Sequence, residues 1–132
     1  MNTEENTKSI IDIPEARIRL RFDNIVHVTF KEGLTMDIPR QMTLMHKYNE
    51  ICEGKKLPFL FDAQDHVSIT KEARDNAFLI EDLAPIKASA VIATNLAYKL
   101  IAEFYVKFNK PKAPIKIFRK HEDAIEWLKV FL

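Results

Sequence analysis

The sequence predicts one α/β domain with the element order ββαβαβαβα. Three observations carry this reading. An apolar run at residues 57–61 stops at Asp62, and after a polar stretch Thr70 opens a helical pattern. Strand-like and helix-like periods alternate on either side of that stretch. Breaker residues fall between them, at Asp23-Asn24, Gly33, Gly54, Pro85, Pro111 and Pro114. Strands joined through helices run parallel, and the crossovers are expected to be right-handed. Open sheets of this kind bind ligands at the carboxyl edge of their strands, so residues 57–70 are the first place to look for a site.

Residues 1–15 are expected to form a flexible segment ahead of a domain spanning 16–132. Residues 16–22 alternate without a break. Ala16, Ile18, Leu20 and Phe22 share one side, and Arg17, Arg19 and Arg21 the other. That is a half-buried strand, placed at a sheet edge because alternating arginines discourage sheet-to-sheet pairing. A second strand follows at 25–30.

A two-residue Asp23-Asn24 loop would pair Phe22 with Ile25 and turn Val26, Val28 and Phe30 onto the arginine face. A loop one residue longer pairs Phe22 with Val26, Leu20 with Val28 and Ile18 with Phe30. Burial favours the longer loop, with Asn24 as its left-handed residue and His27 and Thr29 among the arginines. One face is then polar here, and the helices belong on the other.

Asp37 caps a helix whose first turn tolerates Pro39, and Gly54 ends it. Met42, Met45, Tyr48 and Cys52 line one side. A helix over 70–83 buries Ala73, Ala77, Phe78 and Ile80, and Pro85 breaks it. Residues 88–93 form a small-residue strand suited to close helix packing. Asn95 caps a helix to about residue 108. A short strand at 115–118 leads to a terminal helix over 122–131, anchored by Trp127.

Composition narrows the function. The chain has 132 residues, 47% hydrophobic and 30% charged, with a net charge of +1. That describes a folded domain. Nucleic-acid binders usually carry a strong basic excess, so none is expected as a partner. The one cysteine, Cys52, excludes an intramolecular disulfide and suits a cytoplasmic location. The first six residues do not resemble a signal peptide, and no apolar run is long enough to span a bilayer. With two glycines, no glycine-rich phosphate loop exists. Neither a cofactor nor a metal is expected.

The element order, the strand Phe-Leu-Phe-Asp-Ala before a helix, and the ending PIKIFRKHEDAIEWL resemble the STAS superfamily, closest to small bacterial SpoIIAA-like proteins. These share a fold with CRAL-TRIO lipid-transfer domains. The resemblance spans residues 17–132. It implies a singly wound mixed sheet in sequential strand order, with helices mainly on one face. Family members that antagonise anti-sigma factors carry Asp-Ser-Ser-Gly after the third strand and are phosphorylated there. This chain has Thr70-Lys71-Glu72-Ala73 at that place, which lacks the serine and the glycine.

Asp62, Asp65 and His66 lie together between strand and helix, with Ser68 and Thr70 nearby. They are a candidate ligand-binding group, able to hold a cation or to act as acid and base. A polar loop in which Asp62 bonds backbone amides accounts for the same residues. His27, His46 and His121 are scattered, without ligand spacing. Arg17, Arg19 and Arg21 form a candidate anion-binding stripe. The 95–108 helix is apolar over more than one stripe, so Leu96, Tyr105 and Val106 are candidate interface residues. The expected function is a non-enzymatic binding or regulatory module, homodimeric and acting through protein contacts. The alternative is a carrier of a small apolar or amphipathic ligand, as in the lipid-transfer relatives.

Overall fold

The computed structural model describes residues 6–63, 66–96, 99–100, 103 and 111–132. Six strands form one sheet: β1 (Thr7–Asp12), β2 (Ala16–Arg21), β3 (Val26–Phe30), β5 (Leu57–Asp62), β7 (Ile86–Ile92) and β8 (Ile115–Phe118). Their order in space is β1-β2-β3-β5-β7-β8. The first three run antiparallel, and β3, β5, β7 and β8 run parallel. This is the singly wound mixed sheet in sequential order. A separate two-stranded clasp pairs β4 (Thr35–Met36) with β6 (Ser68–Ile69). It ties the entrances of helices α1 (Ile38–Cys52) and α2 (Lys71–Leu79). Helix α3 (His121–Leu128) follows β8.

Two expectations fail at the N-terminus. Residues from Thr7 onward form β1, hydrogen-bonded along β2, so the segment expected to be free is part of the sheet. β2 is therefore the second strand and not the edge. β1 escapes sequence reading because five of its six side chains are polar or exposed, so it carries no period.

The β2–β3 hairpin has its three-residue loop, but one step earlier than expected. Arg21 N–H donates to Ile25 O and Asn24 N–H to Arg21 O, both at 3.0 Å, leaving Phe22, Asp23 and Asn24 as the loop. Leu20 pairs with Val26, Ile18 with Val28 and Ala16 with Phe30. The third residue of such a loop is left-handed. A loop of Asp23-Asn24-Ile25 would have put a β-branched residue there, whereas Asn24 takes φ 66° readily. Phe22 is consequently carried out of the strand and is 64% exposed. The partition of faces is unaffected, because the two registers differ by two residues.

One face packs against α1 and α2. Ile18, Val26, Val28 and Phe59 meet Leu44, Tyr48 and Ala73 there. Tyr48 meets the ring of Phe59 edge-on at 5.2 Å. The other face takes α3 over its parallel half. The small residues Ala88 and Ala90, fully buried, let Ala124 and Leu128 approach Leu60 and Ile92. Trp127 lies beside them, half-buried between Phe118 at 5.7 Å and Phe131 at 4.9 Å.

α1 starts as read. Asp37 accepts from Arg40 N–H at 3.0 Å, and Pro39 sits in the first turn. It ends on two left-handed residues, Glu53 and Gly54. Met45, Tyr48 and Cys52 are buried, but Met42 is exposed, as is Phe78 of α2. Burial pushes the Cys52 thiol up to about 12.

Leu128 therefore fixes α3 more firmly than Trp127 does. Leu128→Ala is expected to cost about 2–5 kcal/mol, and Trp127→Ala less, by urea titration of both variants. Cys52 is expected to react with a thiol reagent only after unfolding. Rapid labelling of the native protein would contradict its burial.

Candidate functional site

On β2 and β3 the side chains alternate, so Arg19 and His27 stand directly opposite each other on the α3 face. His27 also lies opposite Leu60 of β5. Two residues further along β5, on the same face, Asp62 ends the strand. His121, the first residue of α3, reaches back to it. Four elements thus send one polar side chain each to the carboxyl end of β5.

The distances form a line. Arg19 Nη1 donates to Thr7 Oγ1 at 2.7 Å, and Arg19 Nη2 meets His27 Nδ1 at 2.6 Å. His27 Nε2 lies 3.4 Å from Asp62 Oδ2, and His121 Nε2 lies 2.6 Å from the same oxygen. Arg19 is only 6% exposed, while the His121 side chain is 45% exposed.

Donor inventory fixes the protons. A guanidinium can only donate, so His27 Nδ1 must offer its lone pair. His27 is then neutral and carries its proton on Nε2, facing Asp62. Burial first, and the charge of Arg19 after it, hold His27 below the usual 6.5, with Asp62 offsetting part of the effect. Burial also opposes the charge on Asp62, but hydrogen bonds from His27 and His121 outweigh it and hold the carboxyl below its usual value.

Two imidazole nitrogens and one carboxylate oxygen, all within 4.8 Å of one another, have the composition of a transition-metal site. Their protons are arranged otherwise. A histidine that binds metal through Nε2 keeps its proton on Nδ1 and donates it to an acceptor. Here Nδ1 receives a hydrogen bond from Arg19, so His27 Nε2 has no lone pair to give. The cluster is better described as a carboxylate fixed by two imidazoles, one shielded and one open to solvent.

Of the described residues read as a ligand group, only Asp62 belongs to this line. Asp65 lies outside the described residues. His66 is an exposed turn residue at φ 63°. Ser68 sits in the clasp, 3.4 Å from Thr35 Oγ1, and Thr70 caps α2 by accepting from Ala73 N–H at 3.1 Å. Two arginines of the stripe, Arg19 and Arg21, make contacts within the sheet and its hairpin loop. Arg19 holds Thr7 and His27, and Arg21 is paired with Asp23 at 2.9 Å. Arg17 shares their face opposite Thr29. Leu96 is 70% exposed, while Tyr105 and Val106 lie outside the described residues. Sequence reading missed His27 and His121 as partners of Asp62. The alternation already placed His27 on the arginine face, and the strand order would have brought His121 to the same edge.

On the opposite face lies an apolar groove of about 350 Å³. Phe30, Phe61, Val91 and Ile115 form its floor, α1 contributes Leu44, Met45 and Tyr48, and α2 contributes Ala77 and Phe78. Glu81, Pro111 and Ala113 stand at its rim, where Glu81 accepts from Ala113 N–H at 2.9 Å. Phe78 is exposed because it forms a wall of this groove instead of closing the core.

Residues 18–132 match a family described as a domain of unknown function, DUF7793. The chain belongs to that family. No curated protein sequence matches it. Among solved structures it is similar to an uncharacterised protein of the DUF3478 family with a SpoIIAA-like fold, from Shewanella loihica PV-4. The TM-score is 0.57 at 17% identity, covering 91% of this chain and 90% of that one. The SpoIIAA-like fold of this DUF7793 chain follows from that likeness. A protein of unknown function from Arthrobacter sp. FB24 is also similar, at TM-score 0.32 and 17% identity, covering 91% of this chain and 97% of that one. Among the described residues no helix is long and apolar enough to cross a membrane.

Asp62→Asn is expected to destabilise the fold by about 1–3 kcal/mol near neutral pH, since it removes the charged acceptor of two hydrogen bonds. His66→Asn, at an exposed turn, should change stability by less than about 0.5 kcal/mol. Wild-type stability should fall as pH drops below 6.5, because the unfolded state then takes up a proton on His27 that the folded state resists. It should fall again below 3.8, where the ionised Asp62 is lost. Urea titrations over pH check both windows.

Proposed function

We propose that this DUF7793 domain is a non-enzymatic binding module that carries a small apolar or amphipathic ligand in the groove between α1, α2 and the sheet. The observation that carries the reading is the groove itself. Its volume lies at the lower end of the range usual for small-molecule sites, and its walls are aromatic and aliphatic with few polar groups. Phe30 and Phe61 are half-buried and Phe78 is exposed, so they lack burial that a filled core would have provided. A ligand that fills it recovers that energy. The single cysteine, buried and inert, is compatible with a cytoplasmic carrier.

A second reading has its own observation. Leu79 and Leu83, next to the groove in sequence, are 78% and 64% exposed. Exposed aliphatic groups beside an apolar groove suit a protein contact, including a second copy of the chain. The two readings separate by experiment. Decanol titrated into the protein in a calorimeter is expected to bind, and Ala77→Phe, which fills the groove from α2, should weaken binding about tenfold or more without unfolding the protein. No heat with wild-type protein would count against the carrier. Concentration-dependent association in light scattering, abolished by Leu79→Lys, would transfer the surface to protein contacts.

A further inference from the structure

His27 holds two incompatible hydrogen-bonding roles in reserve. In the neutral ring, Nδ1 accepts from Arg19 Nη2 at a short 2.6 Å, while Nε2 faces Asp62 Oδ2 across a long 3.4 Å. The ring thus leans toward the arginine. A second proton has only Nδ1 to occupy, and an N–H there would point at a guanidinium N–H. The contact that is now the shorter must break, and the one that is now long becomes an ion pair with a carboxylate.

We propose that His27 is a proton-operated switch that leaves Arg19 for Asp62 when protonated and so loosens β1 from the edge of the sheet. The link to β1 is Arg19 itself, because the same guanidinium donates to Thr7 Oγ1 at 2.7 Å. β1 is also held by the Lys31–Asp12 ion pair at 2.9 Å and by Ile11 packing on the α1 core, both toward its far end from Thr7. Its residues are exposed or half-buried, and its pairing with β2 is already irregular between Thr7 and Ser9. Displacing Arg19 disturbs its bond to Thr7, a fixed point at the start of the least buried strand of the six-stranded sheet.

Among the described residues, three charged or titratable groups act on His27: Arg19 from β2, Asp62 from β5 and His121 from α3. Arg19 opposes protonation, and Asp62 favours it. His121, with ring centroids 6.0 Å apart, opposes it when charged. The neighbours of His27 on its own strand, Val26 and Val28, are apolar and point to the other face. The His27 side chain is 12% exposed, so solvent protons reach it. The switch is independent of the groove and of any ligand in it.

Long-range nitrogen–proton NMR on the imidazoles, combined with amide hydrogen exchange, tests the proposal on the wild-type chain and on His27→Gln. Glutamine accepts from Arg19 through its carbonyl and donates toward Asp62 through its amide, yet takes up no proton. Wild-type His27 is expected in the Nε2–H form near pH 7.5. On acidification to about pH 5, β1 amides should lose about tenfold more protection than β7 amides. His27→Gln should show no such difference between the strands. An Nδ1–H tautomer near neutral pH would overturn the proposal, as would a parallel loss from β1 and β7 in the wild type. A persistent pH-dependent difference in His27→Gln would overturn it too. Should that variant fail to fold, the wild-type tautomer and strand comparison still decide.

Discussion

Asn24 sits at φ 66°, and the geometry around that residue decides which side chains of β2 and β3 stand opposite each other. A three-residue hairpin loop needs one left-handed position, and asparagine takes it at small cost where a β-branched residue would not. Asp23 reinforces the turn by accepting from Ile25 N–H at 3.2 Å and pairing with Arg21. Once Arg21 and Ile25 close the loop, Ile18 must meet Val28 and Arg19 must meet His27. The apolar half of each strand then joins the α1 core, and the polar half faces the side where α3 later arrives. Both the groove and the polar line follow from this division.

The parts of the fold legible in sequence were those with a period or a cap. Residues 115–118 were bounded correctly, and Asp37 and Thr70 were recognised as the starts of helices. Ala88 and Ala90 were read as a surface for close packing, and α3 is what packs there. β1 was not legible, because an edge strand with both faces largely in water has no apolar alternation to display. The clasp of β4 and β6 was equally silent. Two residues on each side are too few to set a pattern, and their pairing joins positions about thirty apart.

The candidate site was half legible for a related reason. Asp62 could be found because it interrupts an apolar run at a strand end. Its partners could not be found by proximity in the chain, since His27 is 35 residues before it and His121 is 59 after it. Local clustering pointed instead to His66, which the turn leaves in solvent. In a sheet of sequential order, strand ends far apart in sequence become neighbours, so strand order is a better guide to partners than loop composition.

Hydrophobic alternation cannot by itself choose the register of β2 on β3. Sliding one strand by two residues keeps every apolar side chain on the α1 face. The alternative would set Arg21 opposite His27 and leave Arg19 without its present acceptor. Arg19 is nearly buried, and a desolvated guanidinium that loses one of its acceptors is destabilised. The polar line therefore penalises a register that burial tolerates, in the same direction as the conformational preference of Asn24. Polar groups in series also polarise one another, so the line from Thr7 to His121 strengthens as a unit and weakens as one. A single proton at its centre then bears on both the edge strand β1 and the first residue of α3, although no apolar contact between those two elements is needed to couple them.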